Sequence, residues 1–272
     1  MGKYALLIGI SYTNSKMYLP GVKNDLTTMT GILRRWGFAD SNITILSENH
    51  IFPTSYNINN HLNRFCSRLS EGDTALIYYS GHGTRNFNRQ SRYEESCLVP
   101  LDYSKAGHIN SETVRYYLNK ISSNVNVMCI FDCCNSGTVC NLKYHMYDTS
   151  FRKDITVKLK KYDTTDWVTR NKYKVSDLVS ISKSQDLETD ANIVSISGCW
   201  DTQVSYDLGR NGALTLAFLN AISNNRLENL TLERLLQELR GRIIQIRVKQ
   251  TPQMMLGNSM DVNTNLKNFL RF

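Results

Sequence analysis

The chain has 272 residues, 41% apolar and 21% charged, the proportions of a globular protein rather than of a disordered one. No apolar run approaches the roughly 20 residues that span a bilayer, so we expect no membrane association. Of the net charge of +8, residues 151–184 supply +5 through nine basic and four acidic side chains. One basic segment therefore explains the excess of positive charge more simply than a nucleic-acid-binding face does.

The seven cysteines indicate a reducing compartment. Their number is odd, several lie in apolar runs typical of buried strands, and no Cys-x2-Cys pairs recur at zinc-site spacing. The chain begins with an apolar stretch of about eight residues, which is short for a signal peptide and lacks a small-residue cleavage site. We therefore expect a soluble, intracellular (cytoplasmic) protein.

Hydrophobic periodicity predicts alternating strands and helices. In chain order, the pattern predicts a strand at 4–10, a helix at 22–36, a strand at 43–46, a helix at 54–69, strands at 74–79, 125–131 and 192–198, and helices at 213–222 and 231–244. This alternation predicts an α/β fold with a central, mostly parallel sheet flanked by helices. Residues 141–190 are polar and basic without sustained periodicity, so we predict a long loop or linker there.

His82 and Cys134 each follow a buried strand, in turns that contain glycine. Ligands of parallel sheets bind at the carboxyl ends of the strands, which is where both residues fall. A nearby imidazole favours the thiolate of a cysteine and later protonates a leaving amine. The pattern therefore indicates a nucleophilic cysteine with a histidine partner. The turn amides of Gly83 and Cys134 are candidate donors to an oxyanion.

Each of these residues, taken alone, has a simpler explanation. A cysteine after a buried strand most often packs inertly, and a single histidine is most often a surface or satisfied core residue. The occurrence of both at strand ends, beside glycines, favours the functional interpretation. Cys133 is the inert alternative to Cys134, because alternation along a strand points the two side chains in opposite directions.

Nine stretches of the sequence resemble, in order, those of the metacaspases, a family of caspase-like cysteine peptidases. They are ALLIGI at 5–10, LPGVKND at 19–25, YYSGHGT at 78–84, VPLDY at 99–103, AGHI at 106–109, DCCNSGT at 132–138, SISGCWDTQVSYD at 195–207, GALTLAF at 212–218 and QTPQMM at 250–255. The resemblance implies the caspase-haemoglobinase fold. It implies a p20-like catalytic region at 1–140, a basic linker or insertion at 141–190, and a p10-like region at 191–272 that completes the same domain.

The resemblance also implies an activity. Metacaspases are endopeptidases that cleave proteins or peptides after Arg or Lys, and the match puts the nucleophile on Cys134 and the general acid and base on His82. The reaction passes through a thioester acyl-enzyme and requires no cofactor of its own. We expect a monomer that binds peptide substrates.

The family's pocket for a basic P1 residue matches Asp25, Ser80 and Asp132, and Asp207 is expected near the same cleft. Paired carboxylates suit a guanidinium or ammonium group. Two alternatives stay open. Asp25 is also explained as a charge that favours a helix N-terminus, and Asp132 as a structural acceptor at a strand end.

Many metacaspases bind an activating calcium ion through acidic residues. The corresponding positions here are Glu94, Asn110, Ser111 and Asn141, so three of the four carboxylates are replaced by neutral side chains. Calcium affinity depends on the number of charged ligands. We therefore expect weak or absent calcium dependence.

The basic linker is the candidate site of autoprocessing. Its basic residues Lys160, Lys161, Arg170 and Lys172 are plausible cleavage points for an enzyme that cuts after Arg or Lys. Two alternatives are an ordinary solvated insertion and a loop that Trp167 pins across the cleft. The linker is thus a better candidate for regulation than calcium.

Three other functions compete with this interpretation. The first is a catalytically silent caspase-like module that binds proteins, although it would have little reason to keep His82, Cys134, Asp25 and Asp132 together. The second is a related peptidase with a different P1 preference. The third is a nucleic-acid-binding protein that uses the basic linker, for which salt-dependent affinity is the test.

Overall fold

The computed structural model describes residues 1–88, 93–134, 136–137, 139–146, 179–180, 188–199 and 205–272. Its strands are β1 (Lys3–Gly9), β2 (Ile43–Leu46), β3 (Thr74–Ser80), β4 (Gly83–Asn88), β5 (Tyr93–Leu98), β6 (Ile109–Asn110), β7 (Asn126–Asp132), β8 (Tyr144–Met146), β9 (Val179–Ser180), β10 (Asn192–Ser197) and β11 (Gln253–Leu256). Its helices are α1 (Val22–Arg35), α2 (Ser55–Arg68), α3 (Tyr103–Ala106), α4 (Ser111–Leu118), α5 (Ala213–Asn224), α6 (Leu232–Ile246) and α7 (Leu266–Phe269). Within these residues, none of the helices combines the length and apolar character that crossing a bilayer requires.

One eight-stranded sheet forms the centre of the molecule, in the order β2-β1-β3-β7-β10-β11-β8-β9. The pairs from β2 to β10 are parallel, whereas β11, β8 and β9 join in antiparallel pairs. A smaller antiparallel sheet, β4-β5-β6, follows the end of β3. The α/β fold with a mostly parallel sheet that the sequence predicts is confirmed.

The central strands are buried on both faces, which explains their uninterrupted apolar runs. Successive residues of β1 face opposite ways, so that Leu7 belongs to one hydrophobic core and Leu6 to the other. The first core lies against the apolar faces of α1, α5 and α6, and the second lies against α2 and α4. The layers place the carboxyl ends of β1, β3, β7 and β10 at one edge.

The helix α1 ends as its sequence indicates. Gly37 adopts a φ of 77°, a left-handed conformation that glycine accepts without steric cost. The preceding side chain, Trp36, is buried and packs edge-on against Phe218 of α5, with 6.1 Å between the ring centroids. The helix is therefore fixed to the second half of the chain at its C-terminal end.

Two parts of the segment predicted as a loop, 141–190, are strands. Residues of β8 pair with β11, and β9 pairs with β8, so both belong to the main sheet. With three and two residues, β8 and β9 are too short for hydrophobic periodicity to indicate a strand. The candidate processing sites Lys160, Lys161, Arg170 and Lys172 lie outside the described residues.

Candidate active site

The strands β3 and β7 bring the two candidate catalytic residues to one edge of the sheet. Ser80 and Asp132 are direct partners in this parallel pair, and His82 and Cys134 each come two residues later. Gly83 lies against the turn that carries Cys134, because a side chain at position 83 would collide with the carbonyl oxygen of Cys134. The glycine therefore permits the close approach of the two turns.

His82 is held through its backbone and its ring. Its amide donates to the hydroxyl of Tyr12 at 3.1 Å, and its carbonyl accepts from the hydroxyl of Tyr79 at 2.8 Å and from the amide of Val99 at 3.2 Å. Its Nε2 lies 2.8 Å from the carbonyl oxygen of Met17. A carbonyl can only accept, so Nε2 carries a proton and Nδ1 is the ring atom that can exchange one.

Cys134 is half-buried and contacts the second half of the chain. Its sulfur accepts a hydrogen bond from the amide of Ser205 at 3.3 Å, and its thiol points to the carbonyl of the same residue at 3.6 Å. Burial raises the pKa of the Cys134 thiol, and the Ser205 amide acts in the opposite direction. The thiol therefore stays protonated at neutral pH unless a base takes the proton.

Cys133 has a different environment from its neighbour. It is 1% exposed and packs in the core against which α2 and α4 lie. Burial raises the pKa of the Cys133 thiol well above its ordinary value, with the neighbouring thiols adding to the effect. This environment is that of an inert packing cysteine.

Asp25 points into the protein from the first turn of α1. It is only 1% exposed, and it accepts hydrogen bonds from the hydroxyl of Ser80 at 2.8 Å, the side-chain amide of Asn211 at 2.8 Å and the backbone amide of Gly212 at 3.0 Å. Burial, and then the charge of Asp132, raise the pKa of Asp25 to about 8. Asp25 is therefore part of a buried acidic pair as well as an acidic residue in the first turn of α1.

Asp132 ends β7 and is 5% exposed. Its carboxylate accepts from the Ser205 hydroxyl at 2.9 Å and from the amide and hydroxyl of Thr215 at 2.8 and 2.7 Å. Burial raises the pKa of Asp132, and these donors lower it. A side chain at Gly212 would collide with this carboxylate, so the glycine lies between Asp132 and Asp25.

The N-terminus of α5 faces both carboxylates. The Gly212 amide donates to Asp25, and the Thr215 amide, three residues later, donates to Asp132. Unpaired amides at the start of a helix and its positive dipole end both favour anions. The helix from the second half of the chain therefore offsets part of the cost of burying two acids side by side.

Asp207 lies at the margin of this acidic pair. It is partly exposed, and it accepts hydrogen bonds from the backbone amides of Gly21 at 2.9 Å and Gly209 at 2.7 Å. Gly21 precedes α1, and a side chain there would collide with Asp207. Asp207 thus joins the start of α1 to the turn that carries Asn211.

Two of the four positions that correspond to calcium ligands have structural partners. Glu94 forms an ion pair with Arg85 across the β4–β5 hairpin. Asn110 caps α4, because its side-chain oxygen accepts from both the amide and the hydroxyl of Thr113, at 3.0 and 2.7 Å.

The other two positions offer no carboxylate. Ser111 is buried at the first turn of α4, and Asn141 adopts a left-handed φ of 46°. Within the described part of the chain, no three acidic, histidine or cysteine side chains are grouped so as to hold a metal ion. The residues present do not fit a calcium site built from carboxylates.

The sequence profile of the caspase domain matches residues 2–261. The chain belongs to the caspase domain family. Its curated relatives include metacaspase-5 of Trypanosoma brucei brucei, 27% identical over 95% of this chain and 51% of that protein, and metacaspase-5 of Trypanosoma cruzi, 30% identical over 79% and 50%. Metacaspase-1 of Mycosarcoma maydis is 26% identical over 95% of this chain and 71% of that protein. The resemblance to the metacaspases is confirmed, and the chain spans about half the length of the two metacaspase-5 relatives.

Solved structures support the caspase fold. Protein GSU0716 of Geobacter sulfurreducens superposes with a TM-score of 0.64 at 21% identity, covering 97% of this chain and 98% of its own. Caspase-1 of Spodoptera frugiperda superposes with a TM-score of 0.61 at 12% identity, covering 95% and 88%. At these identities the likeness concerns the fold alone.

Several residues that contact the site of this caspase domain cannot be recognised from the sequence. Ser205 and Thr215 lie in stretches that resemble the metacaspases, but the stretches alone assign them no role. Asn211 is 186 residues from Asp25 in the sequence, so spacing gives no sign of their hydrogen bond. Met17 acts through its carbonyl, which any residue would supply.

Proposed function

We propose that this caspase domain is a cysteine endopeptidase that cleaves after Arg or Lys, with Cys134 as nucleophile and His82 as general acid and base. The observation that carries the proposal is the pair of parallel strands β3 and β7. They end at Ser80 and the buried Asp132, and His82 and Cys134 each lie two residues beyond these strand ends. A nucleophile, a base and an acidic recess thus share one edge of the sheet.

In the proposed acylation step, the Cys134 sulfur attacks the scissile carbonyl carbon while Nδ1 of His82 takes the thiol proton. The carbonyl of Met17 holds Nε2 throughout, so it supports the imidazolium that forms. The tetrahedral intermediate collapses when Nδ1 gives its proton to the leaving amine, and a thioester remains. The amides of Gly83 and Cys134 are the proposed donors to the oxyanion.

Deacylation reverses the proton path. A water molecule loses a proton to Nδ1 as its oxygen attacks the thioester carbon, and the C–S bond then breaks. The sulfur leaves as the thiol after it recovers the proton from Nδ1, and the peptide acid departs. The raised pKa of Cys134 makes the base essential, because a protonated thiol is a poor nucleophile.

The acidic pair is the proposed pocket for the basic P1 side chain. Asp25 and Asp132 are buried on either side of Gly212, and a guanidinium or ammonium group supplies the positive charge that such a pair lacks. Ser80 donates to Asp25 and fixes its orientation. Asp207 contributes by holding the start of α1 through Gly21.

We propose weak or absent calcium dependence as part of the same function. The support is chemical: Asn110 already uses its side-chain oxygen to cap α4, and Glu94 already pairs with Arg85. Autoprocessing at Lys160, Lys161, Arg170 or Lys172 stays a prediction.

A monomer in a reducing, intracellular compartment is the proposed state of the protein. Both sides of β11 are paired, by β10 and by β8, so β11 offers no open edge to a second chain. All seven cysteines lie in the described residues, and all are free thiols.

Peptide hydrolysis tests the proposal. We expect cleavage of peptides with P1 Arg or Lys and not of those with P1 Asp or Ala, at the same rate with and without calcium. Cys134→Ala should lower kcat/KM by about 10⁴-fold or more. Absence of Arg or Lys cleavage under all these conditions would favour the silent protein-binding module, and a tenfold stimulation by sub-millimolar calcium would contradict the calcium proposal.

A further inference from the structure

The backbone of Tyr12 is in an unusual conformation. Its φ is 51°, in the left-handed region that glycine and asparagine favour and that bulky residues rarely adopt. Such a conformation persists only where surrounding contacts stabilise it, and it occurs disproportionately at functional sites. The side chain of Tyr12 is 2% exposed, so its contacts are extensive.

Those contacts converge on His82. The hydroxyl of Tyr12 accepts from the His82 amide at 3.1 Å and donates to the Val99 carbonyl at 2.5 Å. Its ring packs against the imidazole in a tilted arrangement, with 4.8 Å between the centroids and 46° between the planes. One side chain therefore fixes both the backbone of His82 and one face of its ring.

The segment that carries Tyr12 also carries the other anchor of the imidazole, the carbonyl of Met17. The ends of this loop, residues 11–19, are joined because the Leu19 amide donates to the Ser11 carbonyl at 2.9 Å. Inside the loop, the hydroxyl of Ser15 donates to the Tyr12 carbonyl at 2.7 Å and accepts from the Met17 amide at 3.0 Å. Tyr12 and Met17 are thus linked as one support for His82.

An ordinary core role would not need the hydroxyl. A phenylalanine would fill the same volume, and a buried phenol is disfavoured unless its polar end finds partners. The partners of this phenol are the backbone of His82 and of Val99, which itself donates to the His82 carbonyl. The hydroxyl of Tyr12 therefore supports the backbone around His82.

We propose that Tyr12 is a positioning residue for His82 in the peptidase reaction. Its hydroxyl and ring, with the loop at residues 11–19, fix the imidazole so that Nδ1 meets the Cys134 thiol. The proposal rests on the proposed function, because it assigns a role within that reaction. Tyr12 itself touches neither the thiol nor the substrate in this mechanism.

Tyr12→Phe tests the hydroxyl and keeps the ring. We expect kcat for a P1 Arg peptide to fall about 10- to 100-fold, because small misplacements of a catalytic group have effects of that size. The KM should stay within about twofold, since the acidic pair is untouched. The matched control is Tyr117→Phe, which loses a hydroxyl bond to Asn59 elsewhere and should leave both constants unchanged.

A second measurement needs no peptide cleavage. Cys134 is the one cysteine that is not fully buried, so iodoacetamide should modify it first, and Cys134→Ala gives the background. The parent should react at lower pH than His82→Ala, because His82 can take the proton of the Cys134 thiol. Tyr12→Phe should shift the pH profile of alkylation towards that of His82→Ala.

Ser15→Ala provides a second variant that alters only an exposed side chain and should fold. It removes the link between Tyr12 and Met17, and we expect a change in the same direction of about two- to fivefold. If Tyr12→Phe does not fold, Ser15→Ala alone tests whether the loop positions His82. An unchanged kcat and alkylation profile in Ser15→Ala would then overturn the proposal.

A folded Tyr12→Phe with the parent's kcat and alkylation profile would overturn the proposal outright. The proposal would also be overturned if kcat fell only in proportion to the loss of folded protein seen by circular dichroism, while the pH profile of alkylation stayed unchanged. A parent that cleaves no peptide refutes the peptidase function, and the alkylation profiles still decide the role of Tyr12. A parent whose profile is the same as that of His82→Ala contradicts the proposal.

Discussion

The histidine and the acidic pair lie at the same edge of the sheet, but they are held in different ways. His82 is anchored by the first half of the chain, through Tyr12, Met17 and Tyr79. The anchors are hydroxyls and a carbonyl, and none carries a charge. The imidazole is therefore oriented by neutral hydrogen-bond partners and not by an ion pair.

The acidic pair is held across the two halves of the chain. Asp25 and Asp132 come from the first half, whereas their donors Asn211, Gly212 and Thr215 come from the second. Each carboxylate accepts three or more hydrogen bonds, because two buried acids need partners to stay in place. The histidine support and the acidic pair thus form separate networks, and substitutions should affect them separately, whereas Cys134 shares Ser205 with Asp132.

The largest effect is expected on the histidine side. His82→Ala should lower kcat about 10²- to 10⁴-fold, since it removes general acid–base catalysis. The fall should be the same for P1 Arg and P1 Lys peptides, because the acidic pair is intact. Steady-state kinetics with both peptides measures this, and a fall confined to one of them would show that the two networks are not separate.

A smaller and selective effect is expected on the acidic side. Asp132→Asn should weaken kcat/KM for P1 Arg peptides about 30- to 5000-fold, because removing one partner of a buried charge pair costs about 2–5 kcal/mol. Iodoacetamide alkylation of Cys134 should shift towards lower pH, because the charge of Asp132 raises the pKa of the Cys134 thiol. Asp40→Asn, at an exposed ion pair with Arg34, is the matched control and should change neither measurement. A shift of the Asp132→Asn alkylation profile towards higher pH, as expected for His82→Ala, would contradict the separation.

Binding of a basic residue should depend on pH through Asp25. The pKa of Asp25 is raised to about 8 by burial and by Asp132, so the free pocket holds a neutral Asp25 at pH 7. A P1 guanidinium favours the ionised form, so binding releases a proton and should weaken up to about tenfold per pH unit below pH 8. Calorimetry with Cys134→Ala and an uncleaved P1 Arg peptide measures this affinity. A P1 Ala peptide is the control, and an affinity independent of pH from 6 to 8 would refute the linkage.

The same pKa predicts the direction of a stability change. The folded, substrate-free protein binds the Asp25 proton more tightly than the unfolded chain does, so this group stabilises the fold at low pH. Its contribution should be lost as the pH rises from about 4 to about 8. Denaturant unfolding should show a steeper decline in the parent than in Asp25→Asn, which keeps only the contribution of Asp132. Equal slopes in the two proteins would contradict the assigned cause.

Much of the fold could be predicted because its strands are buried on both faces. The apolar runs at 4–10, 74–79 and 125–131 correspond to β1, β3 and β7 within a residue or two at each end. Parallel packing then placed His82 and Cys134 at one edge without any knowledge of side-chain contacts. The hairpin β4–β5 was not predicted, because its polar sequence carries no clear alternation.

The supports of the site could not be predicted in the same way. The amide of Asn211 reaches Asp25 only because α5 packs beside α1, and no local pattern records that arrangement. The strain at Tyr12 is a backbone property, which a tyrosine in the sequence gives no reason to expect. Residues that act through a carbonyl or a hydroxyl on a distant backbone need the tertiary structure to be found.

The smallest expected effects give the sharpest test of whether the two networks are separate. Tyr78 and Tyr79 are adjacent in β3, but Tyr78 contacts the network of the acidic pair and Tyr79 contacts that of His82. Thr215 gives its hydroxyl proton to Asp132, so Tyr78 must donate to the Thr215 oxygen, 2.6 Å away. Tyr79 instead donates to the His82 carbonyl. Tyr78→Phe should therefore raise the KM for P1 Arg peptides about 2- to 10-fold, the range for one neutral hydrogen bond, with kcat unchanged.

Tyr79→Phe should do the reverse, lowering kcat at constant KM, because it loosens His82 and leaves the acidic pair alone. The two variants remove the same atom from neighbouring residues that are both fully buried, so a general loss of stability should affect them alike. Parallel measurements of kcat, KM and thermal unfolding separate the outcomes. If both variants change the same kinetic constant, the two networks act as one, and the division between a histidine support and an acidic pocket is wrong.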